Sequence, residues 1–296
     1  MNMNYACWIF LAVLAGFLCM WSQCRHLRTA AVATLTAFAA GLCFAKLVYV
    51  VLNLQSTLLM DGLMAFADWR ASQISMFGGM AGAVLGAWLG AKLLARKPGQ
   101  LLDCFVPCAA IALAFLRAGE KALGTIGVGD YLPADSWMAR FPFAVTNAYG
   151  EYLYAVFYLE ALLAFVCGAA LLMHGKKWPE GVRTRVCLFG LALAQILCES
   201  LRARCMKWGF VRVEQLLCAV LVFVLIFLEC RKAPPSRFRW VPAAVCGACI
   251  AVVALMEYAL DKLDIPVWGC YLIMMAALAG IAVAFAHVLC RRYRNR

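Results

Sequence analysis

Long uncharged runs dominate the pattern of polar and apolar positions along the chain. Residues 71–91 and 265–290 contain no Asp, Glu, Lys or Arg. About 20 apolar residues coiled as an α-helix cross the roughly 30 Å hydrocarbon core of a bilayer. Lipid offers no partner to backbone N–H and C=O groups, so such runs must be helical, and the alternation typical of β-barrel strands is absent. The pattern predicts an all-α, polytopic membrane helix bundle.

Nine transmembrane helices are predicted, with boundaries good to a few residues. The first seven form a core domain of residues 1–232, and the last two form a C-terminal hairpin extension of residues 233–296, set apart by Ala233-Pro234-Pro235-Ser236. The long aromatic-rich connection, residues 118–150, is expected to be ordered against the membrane surface. The spans cover about residues 5–22, 31–53, 72–95, 100–117, 151–173, 184–201, 213–230, 239–260 and 266–289.

Composition and charge placement exclude a soluble protein and predict the topology. The chain is 66% hydrophobic and 14% charged, whereas soluble chains are about half apolar and a quarter charged. Most of its lysines and arginines fall in alternate connections, starting at Arg25 and Arg28, and cytoplasmic loops carry such an excess. We therefore expect the N-terminus outside and the C-terminus in the cytoplasm. The net charge of +12 reflects topology and anionic lipid, with no nucleic acid as a partner.

The 16 cysteines lie almost entirely within apolar spans, where a free cysteine behaves as a small packing residue. The three histidines lie far apart at the ends of spans. We predict neither a metal site nor a cofactor.

A few ionisable residues lie within the predicted spans or at their ends, where charge is costly and is often functional. One interpretation is structural: Glu160 would pair with Lys46, and Glu199 would pair with Arg202 or Arg204 on one helix side. The other is that the cations gather near the outer face and bind a lipid phosphate. Glu257 is a weaker case of the same kind. The principal residues are Lys46, Arg117, Glu160, Glu199 and Arg202.

Glycines at the start of the third span also allow two interpretations. Gly78-Gly79 could let a lipid head group approach the backbone N–H groups of the helix start. Alternatively, Gly78, together with Gly82, Gly86 and Gly90 at four-residue spacing, would let another helix pack closely, and we prefer this for the later glycines.

Several short stretches resemble, in order and spacing, the prolipoprotein diacylglyceryl transferases over about residues 10–232. The resemblance implies a seven-span bacterial inner-membrane enzyme with an outward-opening lipid site, and the C-terminal hairpin lies outside it. The stretches are Leu14-Ala15-Gly16-Phe17-Leu18, Ala45-Lys46-Leu47-Val48-Tyr49-Val50, Met76-Phe77-Gly78-Gly79, Asp103 with Pro107, Arg117-Ala118-Gly119, Leu159-Glu160-Ala161-Leu162-Leu163, Glu199-Ser200-Leu201-Arg202 and Gln215-Leu216-Leu217.

This resemblance implies transfer of a diacylglyceryl group from phosphatidylglycerol to the thiol of a lipobox cysteine. The implied partners are phosphatidylglycerol, other membrane lipid and prolipoprotein signal peptides. Arg117 is the expected phosphate clamp, supported by Lys46 and Arg202, because guanidinium forks match phosphate geometry. A carboxylate would accept the thiol proton, since the thiolate is the nucleophile. The candidates for this role are Glu120, Glu160 and Glu199, and further candidate substrate contacts are Gly78, Gly79, Gly119 and Gln215.

Three departures from the family pattern leave the activity open. Phe77 stands where the family has a histidine, Glu120 replaces an asparagine, and Gln195 replaces an arginine that helps to bind phosphate. The chain is therefore either a divergent active transferase or a non-catalytic descendant that binds lipid or a membrane partner, with the hairpin docking that partner. A small-solute transporter is a third class, supported only by Lys46 and Glu160 inside the bundle.

Overall fold

Nine α-helices contain most of the residues that the computed structural model of this chain describes. The structure describes residues 3–54, 62–67, 73–124, 127–175, 178–203, 205–209, 211–235, 237–263 and 266–293. The helices are α1 (Met3–Cys24), α2 (Leu27–Leu52), α3 (Met76–Leu93), α4 (Pro98–Gly119), α5 (Val156–His174), α6 (Val182–Leu201), α7 (Val213–Lys232), α8 (Val241–Lys262) and α9 (Val267–Tyr293). Within the described residues, all nine are long and apolar enough to cross a membrane, so the prediction of a polytopic helical bundle is confirmed.

The long connection between α4 and α5 folds into a small antiparallel sheet. Its strands are β1 (Tyr131–Leu132), β2 (Ala144–Thr146) and β3 (Tyr152–Tyr154), in the order β1-β3-β2. Leu153 is paired with Tyr131 on one side and Val145 on the other, and it packs with Phe157 in a small apolar core. The predicted start of the fifth span at residue 151 is therefore wrong, because Tyr152–Tyr154 is held in the sheet and α5 begins only at Val156.

Two compact units make up the chain. The first contains Met1–Leu191 with Arg202–Arg204, and the second contains Ala192–Leu201 with Cys205–Arg296. Within the first unit α2 packs on α3, and α4 packs on α1 and α5; within the second, α7, α8 and α9 pack together, next to a short ribbon of β4 (Lys207–Trp208) and β5 (Val211–Arg212). The predicted domains 1–232 and 233–296 were divided by resemblance to a family, whereas these two units are divided by contacts in space. The predicted division therefore stays a prediction.

A polar contact fixes the start of α6 inside the first unit. The carboxylate of Asp103, on α4, accepts hydrogen bonds from the backbone N–H groups of Gly181 (2.5 Å) and Thr184 (2.8 Å) and from the Thr184 hydroxyl (2.7 Å). A helix N-terminus favours a negative charge because its first N–H groups lack partners within the helix. Asp103 therefore ties α4 to α6 and has a structural role.

Glycines form the seam between α2 and α3. A Cβ atom on Gly82 would collide with the Ala40 carbonyl, and one on Gly86 would collide with the Thr36 carbonyl. A Cβ atom on Gly78 would lie 2.6 Å from the Phe44 carbonyl oxygen. These positions support the interpretation as a small-residue packing surface, in which missing side chains let two backbones approach closely.

Replacing one glycine of this seam should lower the stability of the first unit. We expect Gly86→Ala to lower the free energy of unfolding by about 1–3 kcal/mol, the usual cost of overpacking, because backbone atoms of α2 would have to move. Gly79→Ala is the matched control on the same helix, since its Cβ would meet Ala45 Cβ at an ordinary 3.5 Å. Denaturant titration in detergent measures both; equal losses would contradict the account of the seam.

Candidate functional site

Two charged side chains lie where α4 ends. Arg117 is in the last turn of α4, and Glu120 begins the 3-10 turn that follows it (Glu120–Leu123). The three-residue spacing places them on one side of the chain, and Arg117 Nη1 donates to Glu120 Oε1 at 2.5 Å. Arg117 is 3% exposed and Glu120 is 6% exposed, so both charges are withdrawn from solvent.

A second glutamate and a second arginine complete the group. Glu160, one turn into α5, accepts from Arg117 Nε at 2.7 Å. Arg202 follows the last residue of α6 and binds the same carboxylate as a fork, with Nε to Oε1 at 2.8 Å and Nη2 to Oε2 at 2.7 Å. Its Nη2 also lies 3.4 Å from Glu120 Oε2. We call these four residues, all of the first unit, the Arg–Glu network.

The Arg–Glu network neutralises itself. Two cations and two anions have side chains that are 4–11% exposed. Each buried ion loses several kcal/mol of hydration, and only short, multiple contacts such as the Arg202 fork offset that loss. The partners of Glu160 are therefore the two arginines, and the expectation that Lys46 neutralises it is wrong.

Backbone contacts place Arg202 and Glu120 in the network. The N–H of Ala203 donates to the Val128 carbonyl at 3.1 Å, which holds the segment after α6. Gly127, at φ +75°, contacts the Glu120 carboxylate so closely that a Cβ would collide with it. Gly119 is equally confined, because its Cβ would lie 2.5 Å from Trp8 Cβ on α1. Gly119 thus packs α1 against the end of α4, beside the network.

Lys46, Gly78 and Gly79 make other contacts in the first unit. The Lys46 ammonium donates to Gln73 Oε1 at 3.3 Å and lies 5.6 Å from the centre of the Tyr49 ring. Ser75 caps α3: its hydroxyl accepts from the Gly78 N–H at 3.2 Å, and its carbonyl accepts from the Gly79 N–H at 3.0 Å. Both amide donors are therefore used by the helix start itself.

The other candidates, Glu199 and Gln215, belong to the second unit. Gln195 Nε2 donates to Glu199 Oε2 at 3.2 Å. Gln215 Nε2 donates to the Ile196 carbonyl at 3.1 Å and to Glu257 Oε1 at 3.0 Å. The expectation that Glu199 and Arg202 share one helix side is wrong, because α6 ends at Leu201. Arg204, the alternative partner of Glu199, lies outside the described residues.

Arg212 is a contact of Glu199 and Glu257 that the sequence interpretation misses. Its Nη1 donates to the Glu199 carbonyl at 2.6 Å and contacts Cys205 Sγ at 3.1 Å, and its Nε pairs with Glu257 at 3.1 Å. Burial raises the pKa of the Cys205 thiol, and the charge of Arg212 opposes that rise. A sequence signal existed: Arg212 immediately precedes α7 and Glu257 lies in the last two turns of α8, and antiparallel neighbours bring such ends together.

Comparison with protein families decides the identity of the fold. A sequence model of the prolipoprotein diacylglyceryl transferases matches residues 3–230. The chain belongs to this family. A comparison with curated proteins gave no match. The matched part ends within α7, so α8 and α9 lie beyond it.

Membership of the prolipoprotein diacylglyceryl transferase family supports a transferase function in lipoprotein biosynthesis for this multi-pass membrane protein. Of the three departures noted above, Glu120 is a member of the Arg–Glu network, and Gln195 is a hydrogen-bond donor to Glu199. Phe77 lies in the first turn of α3.

Loss of one charge from the Arg–Glu network should be costly. Glu160→Gln would leave two buried guanidinium groups with one carboxylate, and breaking a buried ion pair typically costs about 3–5 kcal/mol of stability. Lys207→Met is the control, because the Lys207–Asp261 pair (3.6 Å) is about one-third exposed and should contribute at most about 1 kcal/mol. Unfolding titrations in detergent compare them, and a Glu160→Gln loss no larger than the control would refute the pairing.

Proposed function

We propose that this protein is an active diacylglyceryl transferase of the bacterial inner membrane, oriented with its N-terminus outside and its C-terminus in the cytoplasm. It transfers the diacylglyceryl group of phosphatidylglycerol to the lipobox cysteine of a prolipoprotein. The observation that carries this proposal is the convergence of Arg117 and Arg202, from separate segments, on the carboxylates of Glu120 and Glu160. Two guanidinium groups held together are suited to a phosphate diester, which they bind through paired N–H donors.

Phosphate entry would replace a carboxylate at the arginines. Arg202 holds Glu160 at 2.7–2.8 Å through two N–H donors, but its nitrogen lies 3.4 Å from Glu120. Glu120 therefore has the weaker tie to Arg202. We infer that the lipid phosphate takes its place at Arg202, while Glu120 stays within reach of Arg117, which it contacts at 2.5 Å, and Glu160 keeps both guanidinium groups in position.

The displaced carboxylate then has a chemical role. The thiol of the acceptor cysteine gives its proton to Glu120. The resulting thiolate attacks the carbon of the diacylglyceryl group that is bonded to the phosphate oxygen. A carbon–sulfur bond forms, the bond from that carbon to the phosphate oxygen breaks, and glycerol phosphate leaves with one additional negative charge. Arg117 and Arg202 stabilise that growing charge, which is larger in the transition state than in the bound lipid. Glu160 and Glu199 are the other carboxylates that the sequence offers as a base.

Arg117→Lys should abolish most of the activity. A lysine keeps the charge and loses the planar fork, so we expect the transfer rate to fall about 10²-fold, the usual effect of removing one oriented donor. The readout is the mass of a model lipoprotein in a strain depleted of its own transferase. Arg183→Lys is the matched control: Arg183 is also a buried arginine of the first unit, and it donates to the Leu171 carbonyl, away from the Arg–Glu network. An unmodified lipoprotein with the wild-type chain would favour a non-catalytic descendant.

Glu120→Gln tests the assignment of the base. The amide keeps the size of the side chain and cannot accept a proton, so we expect the rate to fall about 10²–10⁴-fold while lipid binding is retained. Glu120→Asp should recover part of the rate. Purified variants assayed in phosphatidylglycerol vesicles give both rates, and a fully active Glu120→Gln enzyme would transfer the role to another carboxylate.

A further inference from the structure

The second unit contains a cavity of about 50 Å³ among α6, α7, α8 and α9. Most of its lining is apolar, including Ile250 and Val253 of α8 and the buried Ile281 of α9. Leu216, at its edge, is 41% exposed, and Ala254 is also exposed. Since these are membrane-spanning helices, the medium at the open edge is the acyl-chain region of the bilayer. A cavity of this size holds roughly four non-hydrogen atoms, judged by the volume that one water needs.

One end of the cavity is polar, and that end lies near the membrane boundary. Gln215 and Glu257 line it, near the first residue of α7 and the last turns of α8. Ile250 lies seven residues before Glu257, which is about 10 Å deeper along the helix axis. A phospholipid has the same order along the membrane normal, with polar ester groups at the boundary and methylene groups further in.

A buried ion pair fixes the polar end. Glu257 is 4% exposed and holds Gln215 Nε2 at 3.0 Å through one oxygen and Arg212 Nε at 3.1 Å through the other. The Gln215 amide donates to this carboxylate and to the Ile196 carbonyl, and two acceptors restrict its rotamers, so Glu257 helps to set its direction. Because Glu257 lies on α8, beyond the matched residues, this contact comes from the C-terminal extension.

We propose that this cavity is a subsite for one acyl chain of a membrane lipid, and that Glu257 is the positioning residue for Gln215 at its polar end. The extension thereby forms part of a lipid site, and its docking of a membrane partner stays a prediction. The subsite does not depend on the proposed transfer reaction, because an acyl chain can occupy it without any transfer. Its test measures the binding of lipid and not enzymatic activity.

Photo-crosslinking tests the occupant. The full chain is reconstituted in phosphatidylglycerol vesicles that contain a trace of the same lipid with a diazirine in one acyl chain, and adducts are mapped by mass spectrometry. We expect adducts at Leu278 and Ile281, which are 6% and 0% exposed and line the cavity. Ala254→Leu, which fills the edge, should lower their yield at least fivefold. Ala248→Leu, an exposed alanine of α8 outside the lining, should leave the yield unchanged.

Glutamate variants test the positioning role in the same assay. Glu257→Gln should lower the adduct yield at least threefold, because Arg212 loses its counter-charge and Gln215 its anchor. Glu229→Gln is the matched control: Glu229 is buried, pairs with Arg292 of α9, and lies at the other end of α7. It should lower stability without lowering the yield. If Glu257→Gln fails to fold, Glu257→Asp replaces it.

Four outcomes would overturn the subsite or its positioning residue. Adducts confined to exposed positions, or an Ala254→Leu yield equal to that of the wild type, exclude an acyl chain in the cavity. Equal yields from the Glu257 and Glu229 variants exclude the positioning role. A chain that lacks cavity adducts yet modifies lipoproteins would overturn the subsite and leave the proposed function intact.

Discussion

Four buried charges of the Arg–Glu network must neutralise each other, because neither lipid nor protein can hydrate them. This constraint connects the fold to the chemistry. Within the first unit, the network joins the last turn of α4, the start of α5 and the segment at Arg202. A membrane bundle has little hydrophobic drive to hold its helices together, so such polar contacts and close glycine packing carry much of the specificity.

The same constraint makes the network suited to an anionic ligand. Two buried arginines without counter-charges would repel each other, and the two glutamates neutralise them. In the proposed mechanism a lipid phosphate then replaces one of the carboxylates. The unequal contacts of Arg202, short to Glu160 and longer to Glu120, give the two carboxylates different roles: one maintains the geometry, and the other is available for exchange. The proposed mechanism uses that difference. It requires no histidine at position 77, where this chain has Phe77.

The sequence predicts the helices well because each span satisfies its own backbone hydrogen bonds and is recognisable as a long run of apolar residues. Its glycine spacing predicts that α3 packs closely on another helix, and the structure identifies that helix as α2. The sequence does not predict which charged side chains form ion pairs. Arg202 and Glu160 are 42 residues apart, and the packing of the helices determines that Glu160 pairs with two arginines and not with Lys46. The strand Tyr152–Tyr154 is missed because its apolar residues read as the start of a span, while its sheet partners lie elsewhere in the connection.

The most direct measurement is an experimental structure of the chain in a nanodisc of phosphatidylglycerol, at a resolution that shows the lipid phosphate. The account predicts phosphate density within about 3 Å of the Arg117 or Arg202 guanidinium group, with Glu120 moved away from Arg202 and Glu160 still bound to both arginines. Phosphate bound elsewhere, with all four members of the network still paired, would contradict it.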